Sequence, residues 1–151
     1  MDSAAESLSK RRLRAWIRLL GVTRHAEAQL RDYLRREHGT TLPRFDVMAA
    51  LWRRSAPVPM GELSRMLLIS NGNATDVVSR LEAEGLALRT PSSEDRRTVL
   101  VALTDAGIAA FEGMAEGHEG EVDQLLGTLD GTELDTLRAI LRKVSPGRDR
   151  E

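Results

Sequence analysis

Residues 61–103 read GELSRMLLISNGNATDVVSRLEAEGLALRTPSSEDRRTVLVAL, and a change of period inside this stretch decides the fold. Residues 61–68 fit one short helix. Ser70 then stands where an N-cap belongs, ahead of a second helix over 71–84, and Gly85 is placed to end it. Two helices separated by about three residues, the second one capped, make a helix-turn-helix. After Gly85 the period falls to two. Leu86, Leu88 and Thr90 alternate with Ala87 and Arg89, and Thr98–Leu103 is an apolar run rich in β-branched residues. The polar stretch Pro91–Arg97 lies between them, so the pattern predicts a β-hairpin with a charged tip. A helix-turn-helix followed at once by a hairpin is the winged-helix arrangement, expected here over residues 41–103.

Helices flank this unit on both sides. Leu13, Trp16, Ile17, Leu20, Leu30, Tyr33 and Leu34 recur mostly at three- and four-residue steps, predicting a long amphipathic helix over 7–37 that Gly39 stops. Pro43, at a first helical position, opens a helix to about Arg54 with Phe45, Met48, Ala49 and Trp52 inward. Pro57 and Pro59 bracket an extended Val58. Thr104 caps a helix reaching about Leu126. Asp130 and Glu133 have capping-box spacing ahead of a last helix, where Leu134, Leu137, Leu141 and Val144 follow a heptad-like spacing. The fold class is therefore mostly α with a small β-hairpin wing. Residues 7–40 and 104–146 form a helical dimerisation region, and 147–151 a flexible tail. A unit of about 60 residues buries its core poorly, so the flanking helices have surface left to cover. They can pair with the same helices of a second chain, or fold back as a monomeric bundle.

Composition narrows the function. The 151 residues contain no cysteine, which excludes disulfides, thiolate metal sites and thiol redox sensing. The net charge is −1, but residues 10–54 carry twelve Lys and Arg against four Asp and Glu, while 103–151 carry five against eleven. The basic third suits an anionic partner; the acidic third argues against a chain coated in nucleic acid. A polar start without an apolar signal segment, and no apolar run long enough for a bilayer, point to a cytoplasmic protein without membrane contact. No nucleophile elbow, phosphate loop or paired-histidine zinc motif occurs, and His25, His38 and His118 read as surface histidines rather than ligands. No enzyme, no metal and no cofactor are expected.

The segment from about Leu42 to Gly107 resembles the MarR family of bacterial transcriptional regulators. The resemblance lies in LPRFDVMAAL (42–51), MGELSRMLLIS (60–70), NGNATDVVSRLEAEGLALR (71–89) and SEDRRTVLVALTDAG (93–107). The Asp-Arg-Arg, strand, Leu-Thr-x-x-Gly succession is its most family-specific part. The outer helices match by position and length alone. The Ser-Asn-Gly-Asn-x-Thr stretch is similar to regulators of aromatic-acid catabolism, including those that answer aromatic acyl-CoA thioesters. What the resemblance implies is a homodimeric repressor on a pseudo-palindromic double-stranded DNA operator, released by a small-molecule effector.

The second helix of the pair should lie in the major groove. Its candidates for DNA contact are Ser70, Asn71, Asn73, Thr75, Asp76, Ser79 and Arg80, because Asn reads adenine, Arg reads guanine, and Ser or Thr holds phosphate. Asn71 and Asn73 serve equally well as local caps, and Asp76 can simply pair with Arg80. Ser64, Arg65 and Arg89 are candidates for phosphate contact. Arg96 and Arg97 sit at the hairpin tip, where arginine suits a narrow, strongly negative minor groove. By resemblance, Asp95 braces the wing and Arg97 enters that groove. The effector site implied by the family lies between the dimerisation helices and the winged unit. Trp16, Leu20, His25, Tyr33, Phe45, Met48, Trp52, Ala110, Phe111 and Met114 are candidate walls, with Arg36 and Arg44 at its rim to fork an anion. The apolar members serve equally as core. Gly113, Gly117 and Gly120 either admit a bulky ligand or let two helices cross closely. The alternative reading is a winged-helix protein-interaction module that docks a heterologous partner on the Leu134–Val144 stripe.

Overall fold

A computed structural model describes residues 6–145. The expected flexible tail over 147–151 lies outside the described residues. Helix α1 spans Leu8–His38, with the Ser7 hydroxyl accepting the Lys10 N–H at 3.3 Å and Gly39 closing it at φ 59°. Helix α2 spans Leu42–Arg54, one residue earlier than expected, because Thr41 caps it and Pro43 takes its second position. Strand β1, Val58–Pro59, leads directly into α3 (Met60–Leu67), and α4 spans Asn71–Ala83. Strands β2 (Ala87–Pro91) and β3 (Val99–Leu103) form the hairpin. Helix α5 covers Asp105–Leu126 and α6 covers Gly131–Val144.

The three strands make one antiparallel sheet in the order β1-β3-β2, with Val58 opposite Val101 and Arg89 also opposite Val101 on the other side. The short extended stretch between the prolines is thus the third strand of the wing. Leu34, Val47, Met48, Leu63, Val78, Leu81 and Val101 are almost wholly buried and come from α1, α2, α3, α4 and β3. Burying each is worth about 1.5–3 kcal/mol, so these side chains weld the helix-turn-helix to the sheet. On α2 the inward face is broader than expected. Val47, Ala50 and Leu51 are buried beside Phe45 and Met48, while Trp52 is 44% exposed.

The outer helices differ from this core. Only Tyr33 and Leu34 of α1 are buried, and α6 buries no residue. The expected capping box of α6 is present: Asp130 accepts the Glu133 N–H and Glu133 accepts the Asp130 N–H, each at 2.9 Å. No helix among the described residues is long and apolar enough to cross a membrane.

Candidate nucleic-acid interface

The turn between α3 and α4 is held by side chains that the spacing alone points outward. Ser64 is buried, and its hydroxyl lies 2.9 Å from the Gly61 carbonyl and 2.6 Å from the Asn71 amide oxygen. Ser64 therefore ties α3 to α4 and has no free hydroxyl for phosphate. Ser70 acts as the cap, accepting the Asn73 N–H at 3.1 Å. Leu68 closes α3 in the left-handed region at φ 56°.

Burial divides α4 into two faces. Ala74, Val78 and Leu81 point into the core, whereas Asn73, Asp76 and Arg80 are exposed on the opposite side at helical spacing; Thr75 and Ser79 are half-buried at its margins. Asp76 and Arg80 form no ion pair among the described residues, so the i,i+4 pairing open from sequence is not made.

At the hairpin tip Asp95 braces the turn. Its carboxylate accepts the Arg97 N–H at 3.0 Å and the Thr98 hydroxyl at 3.3 Å, while Ser92 accepts the backbone N–H of Glu94 and of Asp95. These bonds use the acid and the main chain, leaving the Arg96 and Arg97 side chains exposed. Arg65 is exposed, and none of Arg65, Arg80, Arg96 and Arg97 has an ion-pair partner among the described residues, in contrast to Arg44, Arg54 and Arg89, which pair with Glu84, Glu62 and Glu82. An open groove of about 590 Å³ joins the parts: Arg65 of α3, Thr75 of α4, Arg89 of β2 and Arg97 of the tip all border it.

Glu82 and the second bond of the cap residue Thr104 went unnoticed in the sequence. The Glu82 carboxylate accepts the Arg89 backbone N–H at 2.8 Å and its guanidinium at 3.1 Å, and these bonds hold Glu82 below the usual carboxylate range. Thr104 donates to the Gly85 carbonyl at 2.6 Å while accepting the Gly107 N–H at 3.1 Å, so it both caps α5 and anchors the hairpin base.

The candidate effector residues fall in separate places. Phe45, Met48 and Phe111 belong to the core, as do Tyr33 and Met114, and Ala110 is half-buried against it. Trp52 tilts against Phe111 with ring centroids 5.3 Å apart, and its indole N–H donates to Glu112. Arg36 is exposed and paired with Asp32 and Glu37, while Arg44 is paired with Glu84, so neither rim arginine stands free for an anion. Trp16 is 56% exposed and Leu20 half-buried on α1. Of the set, His25 alone lines the groove of about 710 Å³ between α1 and α5, together with Ile17, Val22, Leu30, Val122 and Leu125. His118, read as a surface residue, is half-buried and stacked on Phe45 at 4.1 Å, and burial lowers its pKa. Gly117 accommodates the Tyr33 hydroxyl, while nothing crowds Gly113 or Gly120. The described residues contain no cluster of His, Asp and Glu suited to a metal ion.

A capped recognition helix beside an arginine-tipped wing defines a winged-helix DNA-binding protein. A sequence profile of the MarR family matches residues 40–99. The chain is 30% identical to wild-type MarR from E. coli, whose apo structure superposes with a TM-score of 0.70 over 85% of this chain and 96% of that one. A point mutant of the same regulator, complexed with operator DNA, gives 27% identity and a TM-score of 0.79 over 93% and 100% of the two chains. The HTH-type transcriptional regulator MhqR of Bacillus subtilis (strain 168) is 25% identical over 85% of this chain and 90% of its own. The chain belongs to the MarR family and is a transcriptional regulator of that type, not an enzyme.

Proposed function

We propose that the protein is a homodimeric, cytoplasmic repressor that binds a pseudo-palindromic operator and leaves it when a small aromatic carboxylate or aromatic acyl-CoA binds. One observation carries the DNA reading: Arg65 and Arg97, both without ion-pair partners among the described residues, border one groove with Thr75 of the capped helix. In this reading α4 enters the major groove with Asn73, Asp76 and Arg80 toward base edges, Ser70 and Asn71 near the phosphates, and Thr75 and Ser79 at the margins. Arg97, oriented by Asp95, enters the adjacent minor groove with Arg96 beside it, and Arg65 meets phosphate. Two-fold pairing through the 7–40 and 104–146 region sets two copies of the winged unit (41–103) one DNA turn apart. That pairing is supported by α6, which buries nothing within its own chain.

The effector acts by preferring the arrangement of the two winged units that does not fit successive grooves. The groove between α1 and α5, with His25 at its wall, supports a site for it.

Fluorescence anisotropy on the DNA upstream of the protein's own gene tests this, against a random duplex and at two salt concentrations. Saturable binding far tighter than to random DNA, weakened about tenfold or more by Arg97→Ala, is the expected result. Adding candidate acids and thioesters to the complex should release it. Binding no tighter than to random duplex, on this DNA and on a randomised pool, would move the function to protein partners.

A further inference from the structure

The sheet of the winged unit is bounded by two edge strands, β1 and β2. On the β2 side the outward backbone groups meet no further strand among the described residues. Glu82, in the last turn of α4, occupies that edge: one carboxylate oxygen takes the Arg89 N–H at 2.8 Å, and the other takes the Arg89 Nη2 at 3.1 Å and Nε at 3.4 Å. The pleat turns the nitrogen of Pro91 to the same side, where proline has no N–H to satisfy. One side chain of the recognition helix is thus bonded to both the main chain and the side chain of the wing strand by charge-assisted hydrogen bonds.

The base of the hairpin is fixed separately, by Thr104 donating to the Gly85 carbonyl and by the Thr104 N–H on the Leu86 carbonyl at 3.1 Å. Glu82 restrains the strand further along. Arg97 lies about four residues beyond Arg89 along the hairpin, roughly 13 Å at the usual strand rise, so a swing of about five degrees displaces it by about an ångström. Such a displacement matters only to a ligand touched by α4 and the wing at once.

We propose that Glu82 is a positioning residue for DNA binding: it holds the wing at the angle at which α4 and Arg97 reach one duplex together. This rests on the DNA interface described under Proposed function. Electrostatics alone gives the opposite sign, because Glu82 adds negative charge beside a surface that meets phosphates, and its removal should then tighten binding to any DNA.

The experiment begins with a duplex selected by the wild-type protein from a random pool. Anisotropy at fixed salt then compares wild type, Glu82→Ala, Glu82→Gln, Arg97→Ala and the Glu82→Ala/Arg97→Ala double variant on the selected and a scrambled duplex. Glu82→Ala should weaken the selected duplex about tenfold, corresponding to a wing aligned about one-tenth of the time. It should leave the scrambled duplex unchanged or slightly tighter. Glu82→Gln, which keeps an acceptor for the Arg89 N–H in the same shape, should recover part of the loss. The double variant should bind no more weakly than Arg97→Ala alone, since a misplaced wing without its arginine has nothing left to lose. Unchanged or tighter binding of Glu82→Ala to both duplexes overturns the positioning role, and so does a loss fully additive with that of Arg97→Ala. If the wild type selects no sequence, the DNA interface itself falls, and the positioning role with it.

Discussion

Gly107 shows how one atom decides a local design. It lies in the first turn of α5, where alanine in place of glycine ordinarily gains about 1 kcal/mol of helix propensity. Here a Cβ would strike the Leu86 carbonyl, a backbone group of the turn leaving α4. Gly107→Ala should therefore cost about 1–3 kcal/mol in urea unfolding. Gly113→Ala, in the same helix with nothing within 4 Å of the added carbon, should gain up to about 1 kcal/mol. Equal effects at the two sites would mean that the Leu86 turn shifts freely. At this scale, what the sequence revealed were contacts between near neighbours. Ser70 on Asn73 and the Asp130–Glu133 box are set within three residues, so spacing discloses them, while Asp95 on Arg97, equally local, was implied by the family resemblance. Ser64 and Glu82 were illegible in their actual roles because the turn and the hairpin bring their partners to them, each seven residues away.

Among the elements, α2 is held between α1 and α5, and two titrating side chains on its contacts respond to pH with opposite signs. Asp46 of α2 is pushed up to about 6, chiefly by desolvation and then by the Glu27 carboxylate of α1, with Arg31 opposing. Its folded state prefers the proton, so its contribution to stability is full below its ordinary 3.8 and is lost as pH rises through about 6. His118 of α5 is lowered by burial against Phe45, so its folded state prefers the neutral ring, and stability is lost as pH falls below its ordinary 6.5. Asp46→Asn should stabilise the protein at pH 7.5 by no more than about 1 kcal/mol, since the residue is crowded by its neighbours yet keeps part of its surface in solvent, which screens the cost, and by almost nothing near pH 4. His118→Phe should lessen the loss of stability between pH 6.5 and 5. Urea midpoints at pH 5 and 7.5 read both. A gap between wild type and Asp46→Asn that shrinks as pH rises would reverse the assignment. Period and caps disclosed the order and type of every helix and of the hairpin. They misjudged which faces are covered: Trp52 was expected inside and is 44% exposed, while His118 was expected outside and is stacked. A single helix's periodicity names an apolar stripe without saying which neighbour lies on it.

The whole molecule leaves two elements unfinished. Leu8, Leu13, Trp16, Ile17 and Val22 of α1 are each more than half exposed, and α6 presents Ile140 and Val144 at 54% and 73% exposure. Charge is divided in the same places: Lys10, Arg11, Arg12, Arg14, Arg18 and Arg24 crowd the start of α1, while Glu116, Glu119, Glu121, Asp123, Asp130, Glu133 and Asp135 run from α5 into α6. Two apolar stripes flanked by opposite charge suit a second copy of the chain, whose acidic end meets the first copy's basic one. A charged pair of substitutions on the α6 stripe, Leu137→Lys with Ile140→Lys, should then halve the molar mass found by light scattering while the winged unit stays folded, because α6 contributes nothing to its core. DNA binding should fail in a graded way. A duplex carrying one half-site should bind the variant as well as it binds the wild type, because α4 and Arg97 are untouched. On a duplex with both half-sites the variant should lose at least about a hundredfold, since the second contact no longer profits from the effective concentration that dimerisation supplies. A monomeric variant that kept full affinity for the two-site duplex would place operator recognition in one winged unit alone, and the exposed stripes of α1 and α6 would then need a different occupant.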